Sequence, residues 1–255
     1  MSNFRKVLIF LITFVLTFPL LSQAQKKPHI VFLISEDPNN YEAHLTVPRF
    51  ADLLKRKNFE VTVIKGSGEL NAFDFQGLEV LERADLLVIF SRRTALPHEQ
   101  MNRIKNYLKK GKPLIGIRTA NHAFSVNGSI AEGYEAWPEF VPDILGSLNR
   151  GYGPTEPGTD VNIVDYNVNH PILKGLKPKS WHSVGNVYLV APLIDKSAVV
   201  LLTGRVGNDI QPIAWTRMAN KSKVFYTSLG YPSDFDLPQF QKLLINGINW
   251  TLDLK

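Results

Sequence analysis

The chain has 255 residues, with 29 Lys and Arg against 23 Asp and Glu, 44% apolar side chains and no cysteine. The missing cysteine excludes disulfides, thiolate metal sites and a cysteine nucleophile. The longest cationic run is Lys55-Arg56-Lys57, which argues against a nucleic-acid partner, because that needs a concentrated basic stripe.

Arg5 and Lys6 precede an unbroken apolar run from Val7 to Leu21, and Ser22-Gln23-Ala24 follows with small residues at the spacing of a signal-peptidase site. Residues 1–24 are therefore expected to be a signal peptide and 25–255 the exported domain, periplasmic or extracellular, with no stable membrane insertion after cleavage. No cysteine stands at that point to carry a lipid anchor.

Beyond it, short apolar strands alternate with amphipathic stretches, the pattern of a mostly parallel sheet covered by helices on both faces. Ile30 to Ile34 predicts the first strand. A helix over Leu45 to Lys57 follows, with Val47, Phe50, Ala51 and Leu54 spaced to face a core. Phe59 to Ile64 is the second strand and Asp85 to Phe90 the third, with a short helix over Gln76 to Arg83 between them. Pro97 opens the next helix, which Lys109-Lys110-Gly111 closes. Pro113 to Ile117 is the fourth strand and Glu135 to Leu145 reads as a helix. Gly146 to Gly158 reads as a surface loop rich in glycine and proline. Five more strands are predicted at Val161 to Val164, Asn186 to Leu189, Ala198 to Leu202, Pro212 to Trp215 and Val224 to Thr227. A last helix spans Leu237 to Leu252.

Ligands of an open parallel sheet sit beyond the carboxyl ends of its strands. Those ends carry Ser35, Glu36 and Asp37, then Ser91, Arg92 and Arg93, then Arg118, Thr119, Asn121 and His122. Polar residues are common where any strand leaves a core, so this alone separates site from scaffold poorly. Gly116-Ile117-Arg118-Thr119-Ala120 has the shape of a nucleophile elbow, yet an arginine cannot lose its proton to act as nucleophile or base, and a threonine there is more often a helix cap. His122 is the leading candidate for proton transfer or metal binding, because imidazole titrates near neutral pH and the turn should hold it out to solvent among cations. His44, His170 and His182 are weaker candidates; His170, before Pro171, suits a turn. No H-E-x-x-H, P-loop, G-x-G-x-x-G or G-x-S-x-G occurs. No cofactor is evident, and a divalent metal is left open, because ligands from separate loops leave no spacing to recognise.

Gly111-Lys112-Pro113-Leu114-Ile115-Gly116-Ile117-Arg118-Thr119-Ala120-Asn121-His122-Ala123-Phe124 resembles the signature of ThuA-like proteins, the trehalose-utilisation family. His170 to Leu176, Pro212 to Arg217, Val224 to Gly230 and the closing helix agree with it. The resemblance implies a flavodoxin-like three-layer sandwich of the class I glutamine amidotransferase type, without that fold's catalytic triad. It also implies a small-molecule carbohydrate partner, such as trehalose or a 3-keto-glycoside. The chain departs from the family in the Leu145 to Gly153 loop, which lacks a histidine often found there.

Two readings follow. In the first, the chain is a lyase or hydrolase on keto-sugars. His122 acts as base, Arg118 or Arg92 steadies an enolate, and Glu36 or Asp37 orients the histidine or binds hydroxyls, with Ser35, Arg93, Thr119 and Asn121 around them. In the second, it is a non-catalytic carbohydrate-binding or assembly domain in which Trp137, Tyr152, Trp181 and Tyr231 stack on sugar rings. A metal-dependent hydrolase is a third, weaker option.

Overall fold

A computed structural model describes residues 26–254. The expected signal peptide, residues 1–24, lies outside them. Among the described residues no helix is long and apolar enough to cross a membrane.

Among the described residues, twelve strands and three α-helices form in the order β1 (His29–Ser35), α1 (Ala43–Arg56), β2 (Glu60–Glu69), β3 (Ala72–Asp74), β4 (Leu86–Phe90), β5 (Leu96–Pro97), α2 (His98–Lys109), β6 (Leu114–Ile117), β7 (Tyr134–Glu135), β8 (Thr159–Ile163), β9 (Ser180–Ser183), β10 (Val199–Val206), β11 (Asp209–Ala219), β12 (Ser222–Thr227) and α3 (Pro238–Thr251). Ten strands make one sheet, ordered β3-β2-β1-β4-β6-β12-β11-β10-β8-β9. The run β2-β1-β4-β6-β12 is parallel, and antiparallel strands extend it on both sides. This is the mostly parallel α/β sandwich that the alternating pattern predicts, and the flavodoxin-like fold that the family resemblance implies.

The apolar runs inside the central strands follow from burial on both faces. Along β1, Ile30, Phe32 and Ile34 join one core with Val47, Phe50 and Leu54 of α1 and Phe240, Leu243 and Leu244 of α3. Val31 and Leu33 join the other, with Met101, Ile104 and Leu108 of α2. Side chains alternate along a strand, so each residue of β1 has a fixed layer. Burying one such side chain contributes about 1.5–3 kcal/mol.

Two expected elements are corrected. Glu135 to Leu145 is no α-helix: Tyr134 and Glu135 pair with β5, and Phe140–Leu145 forms a single π-helical turn. Pro138 and Pro142 supply no amide proton, so a continuous ladder is lost there. Phe140, Val141, Ile144 and Leu145 are buried as the periodicity required; the pattern identified a buried face and not a helix. Asn186 to Leu189 enters no sheet. Its backbone instead bonds the glycine-rich loop, with Gly153 N donating to Val187 O (2.9 Å), Leu189 N to Gly151 O (2.9 Å) and Arg150 N to Leu189 O (2.9 Å). The loop is thereby fastened across the end of the sheet.

Candidate functional site

The ends of β1, β4 and β6 are tied together by one side chain. Asn40 is wholly buried. Its Nδ2 donates to Ser35 O and Phe90 O (both 2.8 Å), and its Oδ1 accepts from Thr119 Oγ1 (2.5 Å). Three bonds from one amide fix the distance between neighbouring strand ends, so the residues that follow them are rigidly placed.

The turn after β6 is a 3-10 segment, Arg118–His122, buried throughout. Arg118 has φ of 44°, the left-handed region that a residue bearing a Cβ rarely adopts. Arg93, after β4, has φ of 53°, and Tyr41 and Glu42, after β1, have 51° and 50°. Strained backbone thus collects at all three strand ends. Gly116 belongs to the same packing, since a Cβ there would stand 3.0 Å from the Tyr226 ring.

Arg118 is 1% exposed. Nη1 donates to Ser228 O (2.8 Å) and Nη2 to Asn186 Oδ1 (2.7 Å), and the guanidinium lies 3.9 Å from the Tyr41 ring centre, with Tyr188 at 5.0 Å and Tyr231 at 5.7 Å. Nε has no hydrogen-bond partner. No carboxylate of the described residues pairs with it, although an uncompensated buried ion costs on the order of several kcal/mol. Aromatic faces return part of that cost through cation–π attraction.

His122 corrects an expectation. The ring is not held out to solvent; it is 4% exposed, packed in a T-shaped arrangement with Tyr152 and tilted beside Tyr188. Burial lowers its pKa to about 3, and the charges of Arg93, Arg92 and Arg118 push the same way. The cationic surroundings were expected; the neutral, desolvated ring was not. Nδ1 lies 3.3 Å from Asn149 Nδ2 and 3.5 Å from the Tyr152 hydroxyl. With the Asn149 amide donating to Nδ1, the ring proton sits on Nε2.

Two hollows flank this ring. A smaller one of about 230 Å³ is lined by Tyr41, Arg92, Asn186 and Tyr188 among others, and a larger one of about 460 Å³ by Asn121, Val141, Leu148 and Asn149 among others. Arg93, His122 and Tyr152 belong to both. Arg92 donates to Asp37 Oδ1 (2.9 Å), while Arg93 bonds Asn127 Oδ1 (2.9 Å) and has no carboxylate partner among the described residues. The cleft therefore carries a net positive field.

Of the residues expected at the site, Arg92, Arg93, Asn121 and His122 line the hollows. Asp37 reaches them through Arg92, and Thr119 supports the turn through Asn40. Ser35 is buried at the end of β1 with an unpartnered hydroxyl. Glu36 points elsewhere: Lys65 bonds it at 2.6 Å, holds its carboxyl below the usual range, and leaves it exposed and lining neither hollow. Tyr231 packs on Tyr41 with ring centres 5.7 Å apart and lines neither hollow. His182 pairs with Asp160, and His170 accepts from Ile172 N in the turn its proline suggested. Among the described residues, no three of His, Cys, Asp and Glu stand close enough to hold a metal ion. Sequence reasoning missed Asn40, Tyr41, Asn149, Asn186 and Tyr188. Asn40 alone carried a signal, as a short polar residue just past the first strand.

A family model described as ThuA, trehalose utilisation, matches residues 31–251. No curated protein sequence matches the chain significantly. Among solved structures, a ThuA-like protein from Bacteroides uniformis is 18% identical, with a TM-score of 0.65 over 92% of this chain and 95% of that one. A second, from Parabacteroides merdae, is 19% identical, with a TM-score of 0.62 over 89% of this chain and 90% of that one. At such identities the likeness extends to the fold.

Proposed function

We propose, from the premise that the chain belongs to the ThuA family of trehalose utilisation, that the cleft around His122 binds a keto-sugar or keto-glycoside and promotes loss of the hydrogen on the carbon beside its carbonyl. The observation that carries this reading is the junction of the two hollows, where a buried neutral imidazole meets a guanidinium that no carboxylate neutralises. When the carbon–hydrogen bond breaks, its electron pair forms the enolate double bond, the carbonyl π pair moves onto oxygen, and the proton passes to Nδ1 of the imidazole, the nitrogen without a proton, as the ligand displaces the Asn149 amide from it. Arg93 stabilises the oxyanion where it develops.

An imidazole with a pKa near 3 is a weak base in the empty cleft. Burial, the larger cause, remains when a ligand binds; the arginines add to it, and an enolate offsets their charge, so that part of the lost basicity returns as the oxyanion forms. The two hollows suit a ligand of two units, one on each side of the reacting carbon. The export expected from residues 1–24 agrees with a substrate met outside the cytoplasm.

The test is proton exchange. In deuterated water the mature protein should exchange the hydrogen at C2 of a 3-keto-glucoside faster than buffer does, and His122→Ala should abolish the acceleration. Unchanged substrate across a panel of keto-sugars would end the enzymatic reading. A second reading, a carbohydrate-binding domain without turnover, is favoured by the weakness of the base and by the tyrosines lining the cleft. Calorimetry showing sugar binding by a protein that exchanges nothing would select it.

A further inference from the structure

The small hollow holds more positive charge than an enolate at the junction requires. Arg92 and Arg93 both line it, the buried guanidinium of Arg118 lies behind its Tyr41, Asn186 and Tyr188 wall, and among the described residues Asp37 is the one carboxylate bonded to any of the three. The unsatisfied groups around the cleft point to the same partner. Among the described residues, Tyr188 is wholly buried, lines the small hollow, and its hydroxyl faces Tyr41 without a well-formed hydrogen bond; Asn121 is wholly buried, lines the large hollow, and its Nδ2 has no acceptor; Arg118 Nε, behind the wall, has none either. An amide NH₂ and a guanidinium NH only donate, a phenol hydroxyl donates as well as accepts, and buried polar groups are rarely left without partners. Neutral sugars bring donors and acceptors in similar measure. An oxyanion brings acceptors alone, and charge-assisted bonds to it are the strong ones.

We infer that the ligand is an acidic carbohydrate, a sugar carrying a carboxylate or phosphate that enters the small hollow against Arg92 and Tyr188 while its reacting carbon stands at the Arg93–His122 junction. The inference rests on the cleft being a carbohydrate site, as proposed above, but not on turnover. Carboxylate and phosphate share this chemistry, and their different size and charge distinguish them by experiment.

Calorimetry on the mature protein should compare glucose, glucuronate, gluconate and glucose 6-phosphate, with Tyr188→Phe and Arg92→Gln beside wild type. The expected result is an acidic sugar bound at least about tenfold more tightly than glucose, with that preference reduced about tenfold in Arg92→Gln. Tyr188→Phe removes a buried hydroxyl that makes no well-formed hydrogen bond in the free protein, so it should weaken the acidic ligand while lowering the melting temperature little. A carboxylate-only or phosphate-only preference names the group, and either supports the inference. Equal affinity for glucose and the acidic sugars, or no binding of any acidic sugar at millimolar concentration, overturns it. The two proposals fail separately. Exchange on neutral keto-sugars without acid preference removes this inference alone, whereas acid binding without exchange removes the enzymatic one alone.

Discussion

Acidification from about pH 7 to about pH 5 should cost the folded protein about 2 kcal/mol through His122 alone. The ring's folded pKa, about 3, lies below its ordinary 6.5 because burial and three arginines oppose a second proton. The unfolded chain takes up that proton as pH falls through 6.5, while the folded chain does so only near 3. Stability from this residue is therefore complete above 6.5, falls as pH drops between the two values, and levels off below the lower one. At pH 5 the unfolded ring is about 1.5 units below its pKa, and at about 1.36 kcal/mol per unit this gives the stated figure. Any folded value well under 5 gives the same result. Urea unfolding of wild type and His122→Gln across this range isolates the effect, since His29 and His170, whose pKa values burial also lowers, are common to both. The stability gap between the two proteins should change by about 2 kcal/mol in favour of the variant on acidification. A constant gap would mean that His122 titrates alike folded and unfolded, and would refute the account of a desolvated ring.

Asn40→Ala removes the three bonds that tie β1, β4 and the Arg118–His122 turn. It should cost about 2–4 kcal/mol in denaturant unfolding and weaken any ligand of the cleft; a loss under about 0.5 kcal/mol would deny it the role of tie. Gly230→Ala places a Cβ 2.7 Å from Ile117 Cγ2 at a φ of 125°, and should lower stability by at least about 2 kcal/mol in the same assay. Glu36→Gln breaks an exposed pair with Lys65 outside the cleft. Its effect on stability should stay within about 0.5 kcal/mol and its effect on C2 exchange within error, which a catalytic role would contradict.

The sheet was legible because its central strands are buried on both faces and cannot alternate in polarity: β1, β4 and β6 read as unbroken apolar runs. The π turn at Phe140–Leu145 was not, because a buried face at helical spacing looks alike whether or not two prolines interrupt the ladder beneath it. At the site, His122, Arg92, Arg93 and Asn121 were legible from their position just past strand ends. Tyr41, Asn186 and Tyr188 were not, because they reach the cleft through a turn and a fastened loop whose path depends on bonds between segments far apart in sequence. The burial of His122 was missed for the same reason: the tyrosines that cover it, Tyr152 and Tyr188, arrive from residues thirty and more positions away.

The most direct measurement is a structure of the mature protein with a bound keto-glycoside or acidic sugar. The account predicts density spanning both hollows, with Arg93 and His122 touching the same part of the ligand. A ligand held instead in the groove beside His170 and Trp250, with the cleft around His122 unchanged, would contradict it.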